Sequence, residues 1–288
     1  MSFVIHIDSC SDRFPAPAPM IYMHIMLGDR EVTDEIMSAG DNFHAFYERM
    51  RAGETFTTAQ PTPQEFVENW TPTLEAGKDV LYLGFSSALS GTIQSANIAK
   101  ADLAERFPER KIVVVDTLCE SGGLGLLVEY VLEKQASGAS LEETAAYAED
   151  IKNRINHIFT VSDLKYLRRG GRLTAAAAAF GTILNIKPIL KCDLQGRLVP
   201  LAKCKGINRA AAFIAESPKK RGAVELSRMV LCHADDIALA EKIRGMILEE
   251  YPEANVRLDN IGPVIGCHSG PGTIALFFLG DPKDRNED

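Results

Sequence analysis

The chain has no CxxC pair, no phosphate-binding P-loop, no GxSxG elbow and no excess of positive charge, and each absence removes a class of function. Its 39 acidic side chains outnumber 31 basic ones, for a net charge of -8. That balance argues against nucleic acid as the main partner, although a local basic patch stays open. The six cysteines (10, 119, 192, 204, 232 and 267) stand singly, without zinc-like spacing, and read as buried, reduced thiols of a cytoplasmic protein. The longest apolar stretch, Gly122 to Leu132, is broken by Glu129 and is too short to span a bilayer. The amino terminus opens directly on a strand pattern, so neither a signal peptide nor stable membrane insertion is expected. No His, Cys or Asp stands at metal-ligand spacing from His268, and no metal or cofactor is expected.

What remains is a globular composition, 46% hydrophobic and 24% charged over 288 residues, enough for one large or two ordinary domains. Val4–Ile7 reads as a buried strand, Ile21–Leu27 as another, and Asp41–Met50 as a helix. Thr62-Pro63-Gln64-Glu65 is a helix start with a capping box and proline at the first position. Beyond it, apolar runs at Asp79–Phe85, Lys111–Val115 and His157–Val161 alternate with helices at Thr92–Arg106, Gly123–Ala136 and Leu141–Arg154. That rhythm predicts βαβ units and a mainly parallel sheet. After Val161 the chain turns basic and glycine-broken, which sets a domain boundary near residue 165. A small-residue helix is predicted over Thr174–Leu184, then a hairpin around Gln195-Gly196, then further strands and helices. The expected class is α/β with two domains, residues 1–165 on a parallel sheet and 166–288 on a mixed one.

Four places could carry chemistry. Ser86–Thr92 follows a buried strand and opens a helix, where an anion meets free amides, the helix dipole and the hydroxyls of Ser86, Ser87, Ser90 and Thr92; ordinary N-capping explains it equally. Thr57–Pro61 is a polar loop before a capped helix. Gly266–Gly272, read as following an apolar strand, offers His268 among glycines that would let the backbone approach a ligand, or a structural histidine. Arg168–Arg172 is an anion site, a docking patch or a solvated connection.

Taken together the segments resemble the DegV family of fatty-acid-binding proteins that serve bacterial fatty-acid kinases. The likeness rests on Asp8-Ser9, TTAQPTPQEF (57–66), LGFSSALSGTIQSA (83–96), VVDTLCESGGLG (114–125), DLKYLRRGGRL (163–173), ILNIKPIL (183–190) and IGPVIGCHSGPGTIALFF (261–278), in order along nearly the whole chain. The resemblance implies a long-chain fatty acid held between two α/β domains, with carboxylate-binding loops in the first and the acyl chain in the second. It implies a carboxylate met by Thr58 and Ser90, with His268 in the hydrogen-bond network and Gly91 and Ser269 beside them. It implies a binding subunit rather than an enzyme, presenting the carboxylate to a separate ATP-binding kinase subunit that forms an acyl phosphate. Arg172, Lys205 and Arg209 are the candidate docking residues. Two departures stand out: Ala59 replaces a serine, and Lys203–Arg209 is less basic than the family's segment. The competing reading is an enzyme acting on a small carboxylate or phosphorylated metabolite, with Ser90 as nucleophile or anion holder and His268 as base.

Overall fold

A computed structural model describes residues 2–38, 40, 43–174 and 185–280. The expected helix at Thr174–Leu184 lies, beyond Thr174, outside the described residues. Strands β1 (Phe3–Asp8), β2 (Met20–Ile21), β6 (Asp79–Gly84) and β7 (Ile112–Asp116) form a wholly parallel sheet in the order β2-β1-β6-β7. Every residue of β6 is buried, as a strand covered on both faces requires. One face is covered by α3 (Pro63–Glu75), which starts at the expected Thr62–Glu65 capping box, and by α4 (Thr92–Arg106).

A second sheet has six strands: β8 (Ile155–Thr160), β9 (Ile186–Cys192), β10 (Leu198–Lys205), β11 (Met229–His233), β12 (Val256–Asn260) and β13 (Ile274–Leu279), ordered β10-β9-β8-β13-β11-β12. Only β11 and β12 pair in parallel, so the sheet is mixed. The strand expected to continue the parallel series, β8, belongs here, antiparallel to both β9 and β13. The chain therefore changes sheets between β7 and β8, upstream of residue 165. One face of this sheet packs under α8 (Ile207–Lys220) and α9 (Ile237–Glu250).

Between the two sheets runs α5 (Ser121–Ala136), apolar around most of its circumference because it is buried from both sides. Its first turn approaches the second sheet closely. A Cβ at Gly122 would lie 2.5 Å from Cys232 Sγ, and one at Gly123 would lie 2.2 Å from His157 Cε1.

Residues 20–59 depart most from expectation. Ile21–Leu27 is not one strand: Ile21 ends β2, while β3 (His24–Leu27) pairs antiparallel with β4 (Arg30–Glu31) and β5 (Phe56–Ala59) in a third sheet. The Thr57–Pro61 loop is in its first half strand β5. The apolar segment before His268 is a helix, α10 (Pro263–Ser269), opened by proline at its first position. All six cysteines are free and buried.

Candidate functional site

Strand alternation on β5 buries Phe56 and turns Thr58 inward, with Thr57 and Ala59 exposed. On the facing α10, the last turn presents His268 and Ser269. Thr58 Oγ1 and His268 Nε2 meet at 2.8 Å across 210 residues of chain. Ser90, just before α4, forms a 2.8 Å hydroxyl pair with Thr92 Oγ1 and accepts from the Thr92 amide at 3.4 Å. Thr58, Ser90, His268 and Ser269 all line one cavity of about 360 Å³, within the range of about 300–1,000 Å³ usual for small-molecule sites. Its remaining wall is mainly apolar, with Phe159, Leu198 and Ala275 from the second sheet, Met23 from the link between β2 and β3, Phe85 just past β6 and Leu89 from the turn before α4.

Of the other expected residues, Arg172 alone lines the cavity. Gly91 is the N-cap of α4 and faces the Gln60 side chain rather than the cavity; a Cβ there would stand 2.3 Å from Gln60 Oε1. Ser86 is buried and donates to the Gly196 carbonyl at 2.9 Å. Of the hydroxyls in the clamp, only Ser90 sits at a helix start, since Thr58 is on a strand and Ser269 ends a helix. Lys205 and Arg209 are exposed around the start of α8. Arg172 lines the cavity, its Nε donating to the Leu89 carbonyl at 2.9 Å and its Nη1 to Gly170 at 2.5 Å. Nor do the glycines of Gly266–Gly272 open space for a ligand. Gly270 lies against the Tyr166 ring and Gly272 against Ser162, both at positive φ.

The electrostatics of the clamp favour an anion. Burial pushes the His268 imidazole down to about 4, and the nearby Arg172 and Arg169 guanidiniums push in the same direction. His268 is therefore neutral at pH 7. Its Nδ1 and the Ser269 hydroxyl oxygen are buried and find no hydrogen-bond partner among the described residues, an uncommon state for polar atoms in a folded core. Gly170, which the sequence offers only as part of the Arg168–Arg172 segment, makes room for the imidazole: a Cβ there would stand 2.2 Å from His268 Nδ1. The competing enzyme requires a Ser90–His268 pair, whereas Ser90 pairs with Thr92 and His268 with Thr58. Exposed His44 and Glu48 and half-buried Asp235 hold metal-ligand atom types close together, but Asp235 is already paired with His44 and Arg51.

The low His268 value has a testable sign. Between about pH 6.5 and 4 the unfolded chain binds a proton that the folded chain refuses, so this group's contribution to stability is intact above 6.5 and is lost as pH falls toward 4. Ring NMR of lipid-free protein should show a His268 midpoint near 4, and an anion placed beside it should raise that midpoint. A midpoint near 6.5 in the lipid-free chain would contradict the buried, cation-flanked placement.

A family model described as an uncharacterised protein of the DegV family matches residues 16–281. The chain belongs to the DegV family. It is 38% identical to a DegV domain-containing protein of Clostridium perfringens, over 98% of this chain and 99% of that one. Among solved structures it resembles a fatty-acid-binding DegV family protein from Thermus thermophilus, with a TM-score of 0.83 and 28% identity over 98% of this chain and 100% of that one. The Fak B3 protein of the Streptococcus pneumoniae fatty acid kinase, solved loaded with linoleic acid, shares the fold at a TM-score of 0.83 and 22% identity, covering 98% and 100% of the two chains. Among the described residues no helix is long and apolar enough to cross a membrane.

Proposed function

We propose that this DegV protein binds a long-chain fatty acid in the cavity and presents its carboxylate to a separate ATP-dependent kinase subunit, without transforming the lipid itself. The observation that carries the proposal is an apolar cavity whose polar end gathers Thr58, Ser90, His268 and Ser269, with Arg172 beside them. A carboxylate in that position accepts from the hydroxyls, with His268 Nε2 holding Thr58 in place, while Arg172 supplies positive charge. A tail of about a dozen methylenes contributes on the order of 10 kcal/mol before ordering costs. Affinity thus comes from the tail, and the clamp offsets the desolvation of the head group. The fatty acids held by the Thermus and Streptococcus proteins support this reading.

The division of labour needs revising as a proposal. Both halves of the chain on either side of residue 165 contribute to clamp and tail wall alike, so we place the ligand between them rather than its tail in the second half. A cytoplasmic location suits a soluble lipid carrier with six free thiols.

Kinase partnering is tested on the docking residues. Arg172 lines the cavity, so its reversal should weaken lipid binding and acyl phosphate formation together. Lys205→Glu with Arg209→Glu should leave oleate affinity within about twofold and lower acyl phosphate formation, trapped as hydroxamate with a fatty-acid kinase subunit and ATP, by roughly tenfold. Unchanged acyl phosphate in that double variant would remove the start of α8 as the docking surface. Hydroxamate formed by this chain and ATP alone would favour the enzyme reading instead.

A further inference from the structure

The cavity does not end in hydrocarbon alone. Glu120, 7% exposed and immediately before α5, lines it together with Ser121. Glu120 Oε1 lies 3.1 Å from His157 Nδ1 on β8. Ser121 is already committed, its hydroxyl donating to Asp12 Oδ2 at 2.6 Å. The β8–β13 register measures how far this acidic spot is from the clamp. Thr273, whose hydroxyl donates to the Ser269 carbonyl, stands at the clamp end of β13, while His157 lies opposite Phe277. Four strand residues span roughly 13 Å, which an extended acyl chain covers with roughly ten carbons. The electrostatics agree: the Glu120 charge acts on Cys10, Asp12 and Cys232, whereas the charges acting on His268 are those of Arg172 and Arg169.

A bare methylene chain laid over Glu120 would strip water from its oxygens and return nothing. A hydroxyl at that depth would donate to the carboxylate and restore the lost bond. We infer that Glu120 is a specificity residue and that the preferred ligand class is a long-chain acid carrying a hydroxyl roughly ten carbons from its carboxylate. The inference rests on the reading of the cavity as a fatty-acid site. Sites built to bond a hydroxyl discriminate against the analogue lacking it far better than apolar pockets discriminate by size.

The test measures dissociation constants of the full chain for octadecanoic, 3-hydroxyoctadecanoic and 10-hydroxyoctadecanoic acids. The 10-hydroxy acid is expected to bind about tenfold more tightly than the other two, the difference a hydrogen bond to a charged acceptor supplies. Glu120→Ala should erase the preference, and Glu120→Gln, which keeps an acceptor oxygen, should retain part of it. The wild-type comparison stands even if a variant folds poorly. Equal affinity for all three acids in the wild type, or a preference that survives Glu120→Ala, overturns the inference and leaves the lipid-binding reading standing. Binding of none of the three overturns both.

Discussion

Ala275→Phe is expected to lower the affinity for octadecanoic acid by roughly a thousandfold, because a ring at this position blocks the tail's path. Ala275 is 4% exposed, lines the cavity, and lies on β13 between Thr273 at the clamp and Phe277 farther in. On the strand spacing the ring stands about five carbons from the carboxylate, so an eighteen-carbon acid loses about a dozen methylenes at about 0.8 kcal/mol each. About five of them already account for the thousandfold, which is therefore the smallest loss expected. The clamp stays intact, so a short acid such as hexanoate should bind the variant as weakly as it binds the wild type. Overpacking costs about 1–3 kcal/mol of stability where no space exists, and a thermal melt distinguishes that outcome from a plugged cavity. Octadecanoic acid binding the folded variant at wild-type strength would mean that the tail runs elsewhere.

His268→Ala comes second, with an expected loss of ten- to a hundredfold. Hydrogen bonds to charged groups are worth about 1.5–3 kcal/mol, and removing the imidazole also releases Thr58 Oγ1 from its 2.8 Å partner. Gly170→Ala should reproduce much of this loss, since the added methyl must displace the imidazole by which Thr58 is positioned. The measurement is a fatty-acid displacement titration with both variants checked for a cooperative melt. If Gly170→Ala binds normally while His268→Ala does not, the imidazole has room to move, and its position is not set by that contact.

Elements governed by local pattern could be read without the structure. The apolar run of β6, the capping box that starts α3, and the ends of α4, β11 and α9 follow from periodicity and helix-end chemistry in neighbouring residues. Elements defined by remote partners could not. Ile21–Leu27 has a single strand's composition, yet β2 pairs with β1 and β3 with β5, so only the pairing separates them. Nothing within β8 tells that it joins the mixed sheet rather than the parallel one. Pro263–Ser269 is short and apolar, a length at which strand and helix patterns are hard to distinguish, although its proline at the first helical position was an available signal.

The site divides in the same way. Thr58, Ser90, His268 and Ser269 were accessible through motif resemblance, and the structure brings them to one cavity from β5, the turn before α4, and α10. Arg172 reads from sequence equally as part of an anion site or as a docking residue, because sequence gives a side chain's charge and not its direction. The contact of Gly170 with His268 and that of Glu120 with His157 span 98 and 37 residues, so neither can be read from the local segments Arg168–Arg172 and Val114–Gly125 in which they stand.

The central claim, that this cavity holds a long-chain fatty acid by its carboxylate, is tested most directly by denaturing extraction and mass spectrometry of the purified protein. A long-chain acid near one per chain is expected, exchangeable with added oleate or palmitate. Protein that carries no fatty acid and takes up neither would contradict it.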